Sequence, residues 1–206
     1  MPAEARTWGG TTLADRRSAR RQRLLEAGLD LLGGGEDGPV SVRAVCRRTG
    51  LTERYFYESF ADRDELVLAV YERIGALAHH ALAEAVAEPG PPGEPGVRAR
   101  AEAAVRAFVE LIVDDPRAGR VLLLAPLTEP ALTRRGAELA PAFATLVLAQ
   151  LPDRPGDQDR EMTAIALVGA LTNLFVAYLD GRLDVTRGRL VAHCVRLVVG
   201  ANSLHT

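Results

Sequence analysis

The stretch SVRAVCRRTGLTERYFYESFADRDEL, residues 41–66, decides the fold. Ser41 opens a short helix in which Val42, Val45, Cys46 and Thr49 recur at i, i+3, i+4 and i+7, the spacing of one buried helical face. Gly50 breaks that helix, and Thr52 stands where a residue would cap a second one over 52–59. Two short helices joined by a glycine turn predict a helix-turn-helix. The chain has ten aromatic residues, and Tyr55, Phe56, Tyr57 and Phe60 crowd four of them into six positions. At about 100° per residue, Phe56 points inward beside Val45 and Leu51. Tyr55 and Tyr57 then lie to either side of it, rings half-buried and hydroxyls free. Phe60 is positioned to plug the seam against the next helix, which Asp62 and Glu65 start in the manner of a capping box.

Outward from this stretch, helical spacing continues almost everywhere. A first helix runs from about Ala14 to Leu32 and stops at GGGEDGP (33–39). The helix after Asp62 carries a core-facing stripe of Val67, Val70, Ile74, Leu77 and Ala81. EPGPPGEPG (88–96) has seven Pro or Gly in nine residues and reads as a surface loop. Further helices are expected at about 97–113, 117–125, 129–150 with a kink at Pro141, 158–179 and 185–199, the last two separated by Asp180-Gly181 and an Asp184 cap. No alternating strand pattern persists, so the expectation is an all-α chain of about nine helices. Its N-terminal arm and helix-turn-helix would occupy 1–62 and a second helical domain 63–206.

With 206 residues, 48% apolar and 25% charged, the chain has the composition of a soluble globular protein. The net charge of −2 by itself argues against nucleic acid as a partner, but the average hides an asymmetry. Residues 1–63 hold 11 Arg against 9 acids, and ADRRSARRQR (14–23) alone holds five Arg and one Asp. All 25 basic residues are Arg, in the acidic C-terminal region too, which reads as genome composition rather than function. Cys46 and Cys194 are far apart and read as small buried hydrophobes in a reducing compartment. His79 and His80 cannot face one direction on a helix, and no ligand cluster stands near them, so no metal or cofactor is expected. No apolar leader is visible, and the run IALVGALTNLFVAYL (165–179) is too short to cross a bilayer. A cytoplasmic protein without a membrane partner is the expectation.

From Leu24 to Leu66 the ordered series LLEAGLDLLGGGEDG, SVRAVCRRTGLT and then Tyr57, Phe60, Arg63 and Leu66 resembles the N-terminal domain of TetR-type transcriptional regulators. The resemblance covers roughly a quarter of the chain. It implies a homodimeric, ligand-responsive regulator binding double-stranded DNA at a palindrome, most often as a repressor released by a small molecule. It implies that Tyr57 and Arg63 contact phosphates, and that Arg43, Glu53, Arg54 and Tyr55 face base edges. The hydroxyls of Ser41 and Thr52 stand at helix starts, where they can reach phosphates as well. Arg43 or Arg54 could take guanine bidentately, Glu53 could accept from cytosine, and Tyr55 could meet a thymine methyl. Arg54 and Tyr55 are bulkier than is usual in the family, and Glu53 and Glu58 add negative charge. The arginines at 16, 17, 20, 21 and 23 have two readings, a solvated helix start or a contact by Arg16, Arg17 and Arg20 to phosphate or the minor groove. Trp8 has no assigned role.

Helices 158–179 and 185–199 are apolar over more than one face. Ala166, Gly169, Ala170 and Asn173 form a small-residue face that, with Val195 and Val198, is expected to build a four-helix dimer interface. The alternative is that both helices complete an intrachain core. The resemblance implies that the intervening helices enclose an effector pocket, for which Phe108, Phe143, Phe175 and Tyr178 are the lining candidates. The scarcity of charge in the later helices points to an apolar or aromatic small molecule. No GxSxG, P-loop, GxGxxG, HExxH or paired-Cys signature is present, so an enzyme is not expected. A helical small-molecule-binding dimer without DNA function is the rival, with an enzyme lacking any recognisable motif behind it.

Overall fold

The computed structural model describes residues 12–34, 38–87, 96–149 and 158–203, and among these no β-strand occurs. Trp8 and most of the expected 88–96 loop lie outside the described residues. Helix α1 (Leu13–Leu32) starts with a reciprocal cap: the Asp15 N–H donates to the Thr12 hydroxyl (3.1 Å) and the Thr12 N–H to the Asp15 carboxylate (2.9 Å). Its second half buries Leu24, Leu25, Ala27, Leu29 and Leu31. Helix α2 (Val42–Thr49) is capped by the Ser41 hydroxyl, which accepts from the Ala44 N–H at 3.2 Å. It ends at Gly50, whose φ of 67° is the left-handed conformation that turns the chain into α3 (Glu53–Tyr57).

Helix α4 (Arg63–Ala87) is the spine. The Asp62 carboxylate accepts from the Glu65 N–H (2.8 Å), while Glu65 reaches back to the Ala61 N–H (2.5 Å). Val67, Val70 and Ile74 are buried as expected, but Leu77 is 44% exposed and Ala81 only half-buried. The inward face rotates toward Tyr71 and Ala78 as α4 leaves α1 and packs along α5, which turns Leu77 to solvent. The hydrophobic core is continuous from Leu24 to Val195 across the expected boundary at Asp62.

Helix α5 (Gly96–Ile112) packs on α4 and on α10. The single helix expected over 117–125 is instead α6 (Pro116–Gly119), a π segment (Arg120–Leu124) and α7 (Ala125–Thr128) in one continuous run. A 3₁₀ turn (Pro130–Leu132) leads into α8 (Thr133–Leu148), with Pro141 inside it. Counting α6 to α7 as one rod, the described residues form nine. Helix α9 (Gln158–Leu179) has its expected bounds. At 22 residues it is long and apolar enough to cross a membrane, which corrects the reading from 165–179 alone: the helix begins seven residues earlier. Gly181 (φ 72°) turns the chain toward α10 (Arg187–Ser203). Thr186, not Asp184, caps that helix, its hydroxyl accepting from the Arg189 N–H at 3.3 Å.

Candidate nucleic-acid interface and effector cavity

The helix-turn-helix hangs on Phe56 and Phe60, both essentially inaccessible, with ring centroids 5.8 Å apart. Two consecutive aromatics on a five-residue helix cannot both point inward, so fixing Phe56 leaves Tyr57 55% and Tyr55 37% exposed. Ser41, Arg43, Thr52, Glu53 and Arg54 are all exposed on the same pair of helices. Thr52 occupies the cap position of α3, yet its side chain makes no cap hydrogen bond, which corrects the capping expectation and leaves the hydroxyl open. Arg54 pairs with Glu58 at 3.2 Å across one helical turn. Both groups face water, so the pair is weak and yields readily to a competing anion.

The N-terminal arginines divide by position. Arg17 donates to the Glu58 carbonyl (2.9 Å), Arg21 to the Ser59 carbonyl (2.5 Å) and Arg23 to the Thr49 carbonyl. The Arg21 guanidinium lies over the Phe60 ring at 4.1 Å, and Arg20 over Tyr55 at 4.6 Å with Glu58 at 3.7 Å. Arg17, Arg21 and Arg23 clamp the last carbonyl of α2 and the two carbonyls just past α3 onto α1, a structural duty the sequence did not disclose. Arg16, one turn earlier, is exposed.

Arg63 is half-buried and held by protein groups. Its guanidinium donates to Glu129 (2.6 Å), Asp64 (2.7 Å) and the Val40 carbonyl (3.3 Å). Burial opposes its charge, but the two carboxylates outweigh that and raise its pKa. Two further arginines tie the run from Pro116 to Glu129 to the helix-turn-helix end of the molecule. Arg117 pairs with Asp115 (2.9 Å), Glu26 (3.1 Å) and Asp30, and Arg120 donates to the Gly33 carbonyl (3.3 Å). Asp30 is partly buried, which alone would raise its pKa, yet hydrogen bonds from Arg117 and Arg48 prevail and hold it below the usual aspartate value.

The other side of that run faces a cavity of about 470 Å³ between α4, α5, α8 and α9. Leu122, Leu123, Pro126 and Leu127 line it, with Tyr71 and Leu82 from α4 and Leu167, Leu171 and Phe175 from α9. Phe108, Phe143 and Phe175 meet there, the ring centroid of Phe143 6.2 Å and that of Phe175 5.2 Å from Phe108. Tyr178 does not line the cavity; it is half-buried one turn beyond Phe175. Arg100 and Tyr71 were missed by sequence reading. Arg100 had a signal, because it shares an i, i+4, i+8 row with Ala104 and Phe108 on an otherwise apolar face.

Helix α9 presents Met162, Ile165, Ala166, Gly169, Ala170 and Asn173 to solvent, and only Ala164, Leu167 and Phe175 of its 22 residues are buried. Asn173 donates to the Gly169 carbonyl (2.9 Å), so this polar side chain is bonded to its own helix. The expected contribution of α10 is corrected. Val195 is 3% exposed and packs in the core, and Val198 is half-buried on the cavity wall. The exposed face of α10 is instead Arg189, Ala192, His193 and Arg196. Among the described residues no group of three or more His, Cys, Asp or Glu could hold a metal.

No protein-family model matches the sequence, and no curated protein matches it. Solved structures do. A TetR-family transcriptional regulator from Streptomyces coelicolor superposes with a TM-score of 0.68 at 18% identity, over 91% of this chain and 82% of that one. A TetR-like transcriptional regulator from Rhodococcus sp. RHA1 gives 0.62 at 22% identity, over 90% and 97%. The multidrug binding protein EbrR complexed with imidazole gives 0.61 at 24%, over 86% and 94%. The chain therefore has the fold of TetR-type regulators, an N-terminal helix-turn-helix followed by a helical domain.

Proposed function

We propose that this protein is a ligand-responsive DNA-binding transcriptional regulator, acting in the cytoplasm as a homodimeric repressor on a palindromic operator. The observation that carries the reading is the grouping of Ser41, Arg43, Thr52, Arg54, Tyr55 and Tyr57, exposed around an α3 whose Phe56 is locked in the core. Such a helix suits the major groove, with Arg43 and Arg54 able to read guanine and Tyr57 and the two hydroxyls able to hold phosphate. The effector reading rests on the large apolar cavity, and EbrR, of like fold, is a multidrug binding protein.

The route from cavity to DNA is the run from Pro116 to Glu129. One side lines the cavity, while Arg117, Arg120 and Glu129 grip α1, the turn after it and the first residue of α4. A π segment inside this run is an irregular turn of the kind that recurs at functional sites. An effector that displaces Leu122 or Pro126 would move all three grips and shift the recognition helices of a dimer apart. A coupling of about 1–3 kcal/mol suffices for such a switch.

Selection of bound genomic fragments by the purified protein at moderate salt tests the reading, beside the double substitution Arg43→Ala/Tyr57→Ala. Enrichment of a palindrome by the wild type alone is the expected result. Absence of enrichment, repeated after unfolding and refolding to strip any retained ligand, would return the protein to the ligand-binding-dimer class.

A further inference from the structure

Among the described residues that line the cavity, Arg100 is the one charged residue. Its Nε is buried and has no hydrogen-bond partner. The nearest acid along α5, Glu102, is engaged by Arg98 at 3.4 Å. Burying a guanidinium N–H without an acceptor costs more than burying a neutral one, so the site favours any ligand that supplies an anion there. Planar carboxylates suit the guanidinium fork best.

The rest of the wall is long and apolar. The cavity-lining residues Tyr71 and Val86 on α4 are separated by about 22 Å of helix axis, and Thr133 and Val147 on α8 by about 21 Å. A volume of about 470 Å³ spread along such a wall suits an extended molecule better than a compact ring system. Val86 is next to last in α4 and Arg100 is fifth in α5, the helix that follows and packs on α4, whereas Tyr71 lies toward the other end of α4.

We infer that the cavity binds an elongated apolar monocarboxylate, its carboxylate on the Arg100 guanidinium and its aliphatic tail running toward Tyr71. This rests on the proposal that the cavity is the effector site and narrows it to a chemical class: acids with a linear tail, rather than cationic or uncharged apolar molecules. The tail supplies affinity through apolar burial that grows with each methylene. The head supplies selection, because an alcohol or amine of the same length leaves Arg100 unpaired or repelled.

Titration calorimetry of the full-length protein with decanoate, decanol and decylamine at neutral pH tests this, with hexanoate as the short control. Decanoate should bind about ten- to a hundredfold more tightly than decanol, and more tightly than hexanoate. Arg100→Gln should remove the preference for the acid, and Arg100→Lys should keep part of it. Thermal melts of both variants verify that the fold survives. Equal affinity for acid and alcohol, or a preference that persists in Arg100→Gln, would overturn the carboxylate assignment alone. Failure of all four molecules to bind would overturn the effector-cavity reading as well.

Discussion

Phe56 and Tyr57 are adjacent in sequence and opposite in duty. Phe56 is fully enclosed, its ring 5.5 Å from Tyr57 and 5.8 Å from Phe60, in a mini-core that must hold a five-residue helix. Phe56→Ala should therefore cost about 3–5 kcal/mol in chemical denaturation. Tyr57→Phe removes only an exposed hydroxyl. It should leave stability within about 0.5 kcal/mol yet weaken operator binding similarly across operator variants, the signature of a lost phosphate contact. Operator titrations on two palindromes of different sequence separate that from base reading. The inward turn of Phe56 was legible in the sequence, because helical geometry and a single Gly50 turn fix it. The duty of Arg63 was not. Its closest partner, Glu129, is 66 residues away, and no local pattern announces a pairing over that span. The family role implied for Arg63 and its observed pairing compete for one guanidinium.

That competition belongs to the run from Pro116 to Glu129, where three arginine contacts join the cavity wall to the helix-turn-helix end. Glu129→Gln removes one of the two carboxylates from Arg63, leaving Asp64, and so loosens the cation for phosphate. Operator affinity in the absence of effector should rise a few-fold, and the salt dependence should steepen by up to about 0.9 in log–log slope. Gel-shift titrations over a salt series measure both. Arg117 adds a pH dependence. Its hydrogen bonds hold Asp115 and, against burial, Asp30 below the ordinary value of 3.8. With folded values lower than unfolded ones, the unfolded chain takes up protons first as pH falls. The stabilisation is thus complete above about pH 4 and is lost as pH drops through the folded values. Arg117→Gln should lower stability by about 1 kcal/mol at neutral pH and converge with the wild type in acid, as thermal melts from neutral to acidic pH would record. At this scale the sequence was readable where punctuation is strong: α9 and α1 were bounded to within a residue. The π segment escaped because an extra residue inside one turn leaves the apolar spacing on either side intact. The α10 cap escaped because Asp184 and Thr186 are both good capping residues, and only the hydrogen bond to Arg189 distinguishes them.

For the molecule as a whole, the open question is what covers α9. A 22-residue helix that buries three residues in its own subunit and turns Met162 and Ile165 outward at 59% and 58% exposure has an apolar face larger than scattered surface hydrophobes require. The small residues Ala166, Gly169 and Ala170 on that face let a second helix approach closely. A second copy of the chain fits better than a bilayer, since the first turn of α9 carries Asp159, Arg160 and Glu161 and its other side is committed to Phe175 and the cavity. The face of α10 alongside is more polar than its sequence promised, because Val195 and Val198 turn inward. Arg189, His193 and Arg196 would then form the rim rather than the centre of the contact. Ile165→Glu with Gly169→Arg places two charges at that centre, where a partner would have to bury them. Sedimentation at micromolar concentration should find the wild type at twice the mass of the 22.1 kDa chain and the double variant at the single-chain mass. The variant should keep its fold, because neither position packs within the subunit. It should lose most of its affinity for the full palindrome while binding an isolated half-site like the wild-type subunit, because one helix-turn-helix without its tethered twin forfeits the gain of simultaneous contact. A dimeric double variant would move the interface off α9, and a monomer with undiminished affinity for the palindrome would remove the dimer from the mechanism.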